Sequence, residues 1–306
     1  METLTVDYIN ENARQNPAAF IQAGEQYYAD QIRNVVQMVK SRLPASPILL
    51  INGPSSSGKT TTSKRIQQHL EREGIRCHTI SMDDYYMTRS EIRIPVDENG
   101  DEDLESPLCM DLPLMSEHLI KLTRGEEIEV PTYDFVTRSR TDAVNPVHME
   151  AGEVVVIEGL HALNDEIVET LGNLATCVYI SVEAIVKAEG GLILDEHDLR
   201  FTRRAIRDYN IRGSSIQRTL NMWESVKRGE RLYIKPYRKN SHIQVNSFMP
   251  YETCILMNQL DRLLRPYQKE AERVGVLEVY KTMGQFEKID YKQYMPKDSF
   301  LHEFIG

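Results

Sequence analysis

The feature that most constrains this chain is a glycine-rich turn between a buried strand and a helix. Residues 53–60 read GPSSSGKT and satisfy the pattern G-x-x-x-x-G-K-[ST]. The apolar run PILLI at 47–51 precedes the turn and is typical of a strand buried on both faces of a parallel sheet. Residues 59–73 then have a helical pattern that stops at Gly74. This context predicts a phosphate-binding loop at the start of a helix.

The loop offers the groups that a nucleoside triphosphate needs. Its glycines let the backbone curl so that successive N–H groups face an anion, and the helix dipole reinforces this cradle. Lys59 adds a mobile positive charge for the β and γ phosphates, and the Thr60 hydroxyl is available to Mg²⁺. The alternative is a chance turn rich in glycine and serine. We expect ATP and Mg²⁺ as cofactors, with ATP bound by Gly53, Ser55, Ser56, Ser57, Gly58, Lys59, Thr60 and Thr61.

Three further short segments predict strands. Residues 75–81, 153–157 and 176–182 are rich in β-branched side chains, which favour strands. Because helical stretches separate them, right-handed crossovers are expected, and these give a parallel sheet with helices on both faces. The predicted fold class is a three-layer α/β fold of the phosphate-loop NTPase type, with helical N- and C-terminal extensions.

The sequence divides into three parts. Residues 1–45 are expected to be a helical N-terminal extension, 46–250 the phosphate-loop domain and 251–306 a helical C-terminal region. Within the domain, residues 82–152 form an insertion that is expected to bind the substrate, because loops of this length are uncommon unless they are functional. Residues 197–228 read as two helices that carry an arginine-rich lid.

Acidic side chains follow two of the predicted strands. Glu158 comes directly after the third strand, where NTPases of this type carry a metal-binding acid; a solvated glutamate is the alternative. Asp83 and Asp84 follow the second strand, and ligands of open α/β sheets bind beyond the carboxyl ends of strands. One of these aspartates can accept a hydroxyl proton or hold a metal-bound water, although such aspartates are also common turn formers.

Positive charge is concentrated in one segment of an acidic chain. Lys and Arg number 36 against 46 Asp and Glu, so the formal net charge is −10. Converging guanidinium groups need anions, so we expect this segment to neutralise the phosphates during transfer. A solvated helix face with salt bridges to acidic neighbours is the alternative. Four arginines share one face of the predicted helix and a fifth follows it: Arg200, Arg203, Arg204, Arg207 and Arg212.

Composition excludes several classes of protein. The acidic balance argues against a dedicated nucleic-acid binder. No run approaches the about 18 apolar residues that span a bilayer, so no membrane partner is expected. The N terminus lacks a secretory pattern and the four cysteines form no C-x-x-C pair, which indicates a cytoplasmic protein without a zinc site or a disulfide framework.

Taken together, the motifs resemble the uridine kinase and phosphoribulokinase family of phosphate-loop kinases. The resemblance covers about residues 47–250 and rests on GPSSSGKT, MDDYY, PTYDFVTRSR, VVVIEGLHALN and RRAIRDYNIRG, in the family's order. The segments WESVKRGERLYIKPY, VNSFMPYE and SFLHEFIG are similar to the kinase portion of bacterial uridine-kinase-like proteins. Such proteins often carry a small TGS or threonyl-tRNA-synthetase-like module before the kinase, whereas here the helical extension precedes the loop.

The resemblance implies roles for the matching residues. Asp83 matches the base toward the acceptor's 5′-hydroxyl, and Glu158 matches an acid that serves the metal together with Thr60. Glu105 falls where uridine kinases carry an aspartate that holds the ribose hydroxyls. The longer glutamate side chain can also bind these hydroxyls, but the sugar would then sit differently. The substrate-binding residues implied are Tyr86, Glu105, Tyr133, Phe135, Arg138 and Arg204, and the catalytic ones are Lys59, Asp83, Arg207 and Arg212.

Two residues depart from the family's pattern. Uridine-cytidine kinases have a base-reading histidine where this chain has Arg138, a permanent cation without acceptor capacity. They also have an arginine where this chain has Ser214. A guanidinium suits phosphate or carboxylate, so pyrimidine specificity stays open and an anionic acceptor, such as a sugar phosphate, is an alternative.

The first functional hypothesis is an ATP-dependent kinase that phosphorylates a hydroxyl of a nucleoside-like small molecule. A kinase of another polyol or sugar phosphate, similar to phosphoribulokinase, is a variant of it. A nucleotide-dependent regulator without an acceptor is an alternative, supported by NQLD at 258–261, a blurred form of the guanine-reading N-K-x-D pattern. A degenerate kinase that only binds nucleotide is a third hypothesis. Relatives of this type are often oligomeric, so the resemblance implies a homo-oligomer.

Overall fold

The computed structural model describes residues 2–98 and 100–306. Among these residues, no helix is both long enough and apolar enough to cross a bilayer. The strands are β1 (Glu2–Thr5), β2 (Ile48–Asn52), β3 (Cys77–Ser81), β4 (Ile128–Asp134), β5 (Ser139–Val147), β6 (Val154–Gly159), β7 (Ala175–Ser181), β8 (Ala184–Lys187), β9 (Ile193–Leu194) and β10 (Ile243–Asn246). The helices are α1 (Val6–Gln15), α2 (Pro17–Arg42), α3 (Lys59–Arg72), α4 (Leu112–Thr123), α5 (Asp165–Leu171), α6 (Glu196–Asn210), α7 (Ile216–Tyr233), α8 (Glu252–Leu264), α9 (Gln268–Arg273), α10 (Leu277–Thr282) and α11 (His302–Ile305).

Five parallel strands form the central sheet, in the order β10-β7-β2-β6-β3. Successive side chains of a strand point to opposite faces of its sheet. In β2, Ile48 and Leu50 therefore join a core that α4 and α5 cover. Leu49 and Ile51 join a second core, which α2, α3, α6, α7 and α8 cover. This arrangement confirms the three-layer α/β fold.

The fifth strand of the sheet is not predicted from the sequence. The other four, β2, β3, β6 and β7, all lie within segments that the sequence predicts to be strands. Strand β10 lies at the edge of the sheet and pairs with β7. Of its four residues, Val245 alone is buried. It therefore lacks the continuous apolar run that marks a central strand.

The N-terminal extension, predicted to be helical over residues 1–45, begins instead with a strand. Strand β1 pairs in parallel with β8, and β9 completes this small sheet. The Thr5 side chain then caps α1 by accepting a hydrogen bond from the N–H of Tyr8. The prediction is wrong at residues 2–5 because their partner strand lies far along the chain, and local periodicity does not report such pairing.

Both extensions pack on the elements that carry the phosphate loop. Helix α2 contacts α3, and the buried Tyr28 hydroxyl lies 2.7 Å from Thr62 Oγ1. Helix α8 contacts α6, and α11 does so as well. Phe300 and Phe304 belong to the same hydrophobic core as the sheet. The extensions are thus part of the core that supports the loop.

The insertion at 82–152 contains α4 and the antiparallel hairpin of β4 and β5. A short 3-10 turn, Met82–Tyr85, follows β3 directly, and β4 contacts it. The hairpin is therefore held next to the carboxyl end of β3, where the sheet meets the phosphate loop.

Candidate active site

The phosphate loop joins β2 to α3 in a conformation that requires glycine at two places. At Gly53 a Cβ atom would lie 2.1 Å from the backbone oxygen of Ile180. Gly58 has a φ of 90°, in the left-handed region, and a Cβ there would meet the ring of Phe300. Helix α3 begins directly after Gly58, which gives it no side-chain cap. The first N–H groups of α3 therefore receive no cap from Gly58 and can bind an anion.

The Lys59 side chain folds back over the phosphate loop. Its Nζ donates hydrogen bonds to the backbone oxygens of Gly53 and Pro54, at 2.8 and 3.1 Å. Burial lowers the pKa of Lys59, and the negative charge of Glu158 opposes this shift most strongly. The ammonium is thus held among carboxylates at the mouth of the loop.

Thr60 and Glu158 supply oxygen atoms on the other side of the loop. Glu158 is paired with Ile51 across the β2–β6 ladder, and its Oε1 accepts a hydrogen bond from Thr60 Oγ1 at 3.2 Å. Burial raises the pKa of Glu158. The hydroxyls of Ser56 and Ser57 are buried and have no hydrogen-bond partner in the described part of the chain. These donors and acceptors fit a nucleotide phosphate, and hydroxyl and carboxylate oxygens are ligands that Mg²⁺ prefers.

Asp83 faces the loop from the turn after β3. Its backbone N–H donates to Ser81 Oγ at 3.2 Å, which fixes the turn. The Asp83 carboxyl is reachable by solvent but surrounded by protein, and this desolvation raises the pKa of Asp83, while the positive charge of Lys59 opposes the shift. Asp83 and Lys59 line the same cavity. The two side chains predicted to act together therefore border one space, and their catalytic roles stay predictions.

One cavity of about 280 Å³ collects most of the residues predicted to form the site. The phosphate loop bounds it on one side, and the insertion and α6 bound it on the other. Gly53, Ser57, Thr61, Tyr133 and Arg138 are outside its lining in the described structure. The predicted residues that line it are Ser55, Ser56, Gly58, Lys59, Thr60, Asp83, Tyr86, Glu105, Phe135, Glu158, Arg204, Arg207 and Arg212.

Three aromatic rings pack together at the insertion side. The ring centroids of Tyr86 and Phe135 are 5.7 Å apart, and that of Tyr133 lies 5.5 and 5.0 Å from them. Tyr133 is therefore a support for the two rings that line the cavity. Arg138 is exposed at the turn of the hairpin, with a φ of 56°. Arg138 is not among the described residues that line the cavity, although Phe135 of the same turn is, so its contact with a substrate stays a prediction.

Glu105 is held in the cavity wall by contacts to α7. The neighbouring Asp103 accepts hydrogen bonds from Arg228 Nη1 and the Tyr233 hydroxyl, both at 2.7 Å. A Cβ atom on Gly229 would lie 2.5 Å from Glu105 Cβ, so α7 can pass this close only with glycine there. Burial raises the pKa of Glu105, and positively charged neighbours oppose that shift.

Two of the clustered arginines are buried and hydrogen-bond to the backbone of the phosphate loop. Arg200 and Arg203 are fully buried on α6 and form ion pairs with Glu230 and Glu252. Both also donate to backbone oxygens of the phosphate loop, at 3.1 and 3.3 Å. Arg200 and Arg203 thus pair with acidic neighbours, as the alternative expects, but their face of the helix is buried and not solvated. The segment at 197–228, predicted to be a lid, begins here with a packed helix.

The other three arginines face the cavity with different degrees of freedom. Arg204 Nη1 donates to Ser55 Oγ at 2.6 Å. Arg207 donates twice to Asp208 Oδ1, at 3.1 and 2.8 Å. Arg212 is exposed, and its Nη1 lies 3.7 Å from the same oxygen. Arg212 is therefore the least constrained guanidinium of the three.

The C-terminal segment brings to the site two residues that sequence reasoning does not predict. Glu303 lines the cavity, and its Oε2 accepts a hydrogen bond from the N–H of Thr61 at 3.1 Å. Phe300 packs against Gly58. The one sequence signal is the similarity of SFLHEFIG to related bacterial proteins, and that similarity does not reveal where the segment packs.

The segment at 258–261 does not form a base-reading loop. It lies inside α8, and Asn258 Nδ2 donates to the backbone oxygens of Cys254, Phe286 and Glu287 at 2.8, 3.1 and 3.0 Å. The side-chain amide is thus used to hold the C-terminal region. The hypothesis of a guanine-dependent regulator loses its sequence support.

We expect Gly53→Ala to lower the free energy of unfolding by about 1–3 kcal/mol, the usual cost of overpacking, and to weaken nucleotide binding. The added methyl would meet backbone rather than a movable side chain. Chemical denaturation and nucleotide titration measure the two effects. Gly284→Ala is the matched control, because its Cβ would meet only the end of the Arg265 side chain, at 3.1 Å. Equal losses in both variants would contradict the steric argument.

Comparison with known proteins shows a family match over most of the chain. A sequence profile of the Phosphoribulokinase / Uridine kinase family matches residues 48–253. The uridine kinase of Geobacillus sp. (strain WCH70) is 30% identical over 199 residues, which cover 64% of this chain and 84% of that protein. The uridine kinase of Staphylococcus aureus (strain JH9) is 29% identical over 202 residues, which cover 66% and 87%.

A solved structure supports the fold alone. It is a provisionally assigned fructose transport system kinase from Silicibacter sp. TM1040, with a TM-score of 0.52 and 15% identity, covering 70% of this chain and 98% of that one. The family match confirms the resemblance carried by the motifs and implies nucleotide binding. The chain therefore belongs to the phosphoribulokinase / uridine kinase family of phosphate-loop kinases.

Proposed function

We propose that this protein transfers the γ-phosphate of ATP to a hydroxyl group of a nucleoside-like small molecule. The observation that carries the proposal is the cavity that Lys59 of the phosphate loop shares with Asp83 of the insertion. A phosphate donor at the loop and an alcohol at Asp83 would meet in this one space. Phosphoryl transfer depends mainly on such positioning and on stabilisation of charge.

The loop would bind the nucleotide. Its N–H groups and Lys59 would hold the phosphates, and Thr60 and Glu158, whose oxygens are 3.2 Å apart, would bind Mg²⁺. When bound, Mg²⁺ neutralises charge on the β and γ phosphates. Arg207 and Arg212 line the same cavity and would stabilise the negative charge of the phosphoryl group during transfer.

The insertion would bind the acceptor. Tyr86 and Phe135 offer ring faces and edges to a planar base. Glu105 offers a carboxylate to sugar hydroxyls, with Arg204 beside it. Asp83 would accept the proton of the attacking hydroxyl as the oxygen–phosphorus bond forms. Aromatic surface beside a few convergent polar groups is the usual make-up of a small-molecule pocket, and here it supports a nucleoside.

A sugar phosphate is the second candidate acceptor, and the arginines support it. Arg204, Arg207 and Arg212 all line the cavity. The side chain of Arg212 is 59% exposed and only loosely paired. A guanidinium free of strong internal partners is suited to an anionic substrate.

A panel assay of ATP consumption separates these candidates. The panel contains uridine, cytidine, purine nucleosides, ribulose 5-phosphate and other pentose phosphates. Turnover with nucleosides supports the first candidate, and turnover with sugar phosphates alone supports the second. If ATP binds but no acceptor accelerates its consumption, the kinase proposal is wrong and the protein is a nucleotide-binding module.

We expect kcat to fall at acidic pH, with a midpoint above the usual aspartate pKa of about 3.9. The base must be ionised, and desolvation raises the pKa of Asp83 while Lys59 opposes the shift. As the pH falls, the carboxylate is therefore lost earlier than an exposed aspartate would be. A pH profile at saturating substrates measures the midpoint, and the acid limb should persist in Glu105→Gln. A limb at or below about pH 4 would contradict the role of Asp83.

A further inference from the structure

The C-terminal segment, residues 299–306, lies on the phosphate site. Glu303 is half-buried, and its Oε2 accepts the hydrogen bond from the N–H of Thr61 at 3.1 Å. This N–H belongs to the first turn of α3, where the N–H groups of a phosphate loop cradle the α and β phosphates. The Glu303 carboxylate thus occupies a backbone N–H donor that a nucleotide phosphate would use.

Aromatic side chains hold the middle of this segment on the loop. The Phe300 ring packs so closely on the loop that a Cβ atom at Gly58 would lie 2.0 Å from it. Its centroid is 4.9 Å from the ring of Tyr28 and 5.4 Å from that of Phe304. The guanidinium of Arg203 lies 5.0 and 5.1 Å from the two phenylalanine rings. The segment is therefore anchored and is not a loose tail.

A buried polar cluster fixes the start of the segment to the N-terminal extension. The hydroxyls of Ser299 and Tyr251 both donate to Glu25 Oε1 of α2, that of Tyr251 at 2.6 Å. Arg65 of α3 lies 3.5 Å from the other oxygen of Glu25. None of these contacts involves Glu303. The Glu303 side chain can therefore leave the loop without breaking the anchor.

Electrostatic repulsion disfavours the Glu303 carboxylate and a nucleotide phosphate side by side at the phosphate loop. The carboxylates of Glu158 and Glu303 both line the cavity together with Lys59. A nucleotide would bring several negative charges to this side of the loop. Like charges a few ångströms apart repel more strongly where water is excluded. The Glu303 carboxylate and a bound phosphate are therefore expected to exclude each other.

We propose that Glu303 is a tethered competitor of the nucleotide: its carboxylate occupies a phosphate-binding N–H of α3, and nucleotide binding displaces it. The C terminus then lowers the affinity for ATP and ADP, since the competent state is only a fraction of the population. The proposal rests on nucleotide binding by the loop and is independent of which acceptor is phosphorylated.

Titration of the full chain with MgADP tests this competition. Glu303→Gln keeps the shape of the side chain and removes its charge, so the Kd for MgADP is expected to fall by about 3- to 10-fold, as for one charge at a helix N-terminus. Glu303→Ala is expected to act in the same direction. Glu272→Gln on α9 makes the same change of net charge at an exposed residue and should leave the Kd unchanged.

Hydrogen exchange provides a second readout that needs no turnover. On binding of MgADP, the amides of the phosphate loop should exchange more slowly, while those of residues 302–306, which lose the contact of Glu303 and keep the anchor, should not become more protected. A Kd that is unchanged or higher in Glu303→Gln, or slower exchange of 302–306 with MgADP, would overturn the proposal, because Glu303 would then belong to the nucleotide complex. An acceptor panel without turnover would leave both measurements valid.

Discussion

Replacing Asp83 with asparagine is expected to lower kcat by about 10²- to 10⁴-fold, the range that a positioned general base contributes. The amide has nearly the size of the carboxyl group but cannot accept the proton of the attacking hydroxyl. Nucleotide affinity should be retained, because Asp83 lies on the insertion side of the cavity and the nucleotide would bind at the loop. Steady-state kinetics with the preferred acceptor and a separate nucleotide titration measure the two effects.

Asp84 provides the matched control for this substitution. It lies in the same turn as Asp83, and it is not among the described residues that line the cavity. Its carboxyl accepts a hydrogen bond from the backbone of Tyr133, and the oxygen of an asparagine amide can replace it there. Asp84→Asn should therefore leave kcat nearly unchanged. Equal losses in the two variants would assign the effect to the turn and would contradict a base at Asp83.

The fold is predictable where local sequence reports burial. Strands β2, β6 and β7 are buried on both faces over nearly their whole length, so apolar runs identify them. Strands β1 and β10 are stabilised by partners that are distant in sequence, β8 and β7. A window of neighbouring residues contains no information about such partners. Strands β1 and β10, which the sequence does not predict, thus have little local burial signal.

The candidate site is predictable where a motif fixes which strand end carries a residue. Strands β2, β6 and β3 are adjacent and parallel, so the residues that follow them meet at one edge of the sheet. This is why Lys59, Asp83 and Glu158 share a cavity. Glu303 reaches the loop across 242 residues of sequence, and no spacing encodes that contact.

The arginines of α6 show a second limit of sequence pattern. Helical periodicity correctly places Arg200 and Arg203 on one face. It does not say what that face meets, and here it meets the internal carboxylates of Glu230 and Glu252. The charge of a side chain therefore predicts that an anion is near, while the tertiary structure decides whether that anion is a ligand or part of the protein.

Replacing Arg212 with alanine is expected to lower kcat by about 10³-fold or more, the effect of removing an arginine that stabilises a transferring phosphoryl group. Arg204 and Arg207 are held by Ser55 and Asp208 at hydrogen-bond distance, whereas Arg212 is 3.7 Å from Asp208 and exposed. Arg212 is thus the guanidinium most able to move with the phosphoryl group during its transfer. Because an exposed, loose ion pair contributes little to stability, the thermal midpoint should not change.

Two further variants separate transfer from acceptor binding. Arg218→Ala removes an exposed arginine on α7 and should leave kcat unchanged. Arg212→Lys keeps the positive charge and should restore part of the rate. The recovery should be incomplete because the lysine ammonium lacks the planar fork of the guanidinium. If Arg212→Ala instead raises KM for the acceptor and leaves kcat intact, Arg212 binds the acceptor's own anion. That result would contradict its role in transfer and favour a sugar phosphate, since a neutral nucleoside gives a guanidinium no charge to bind.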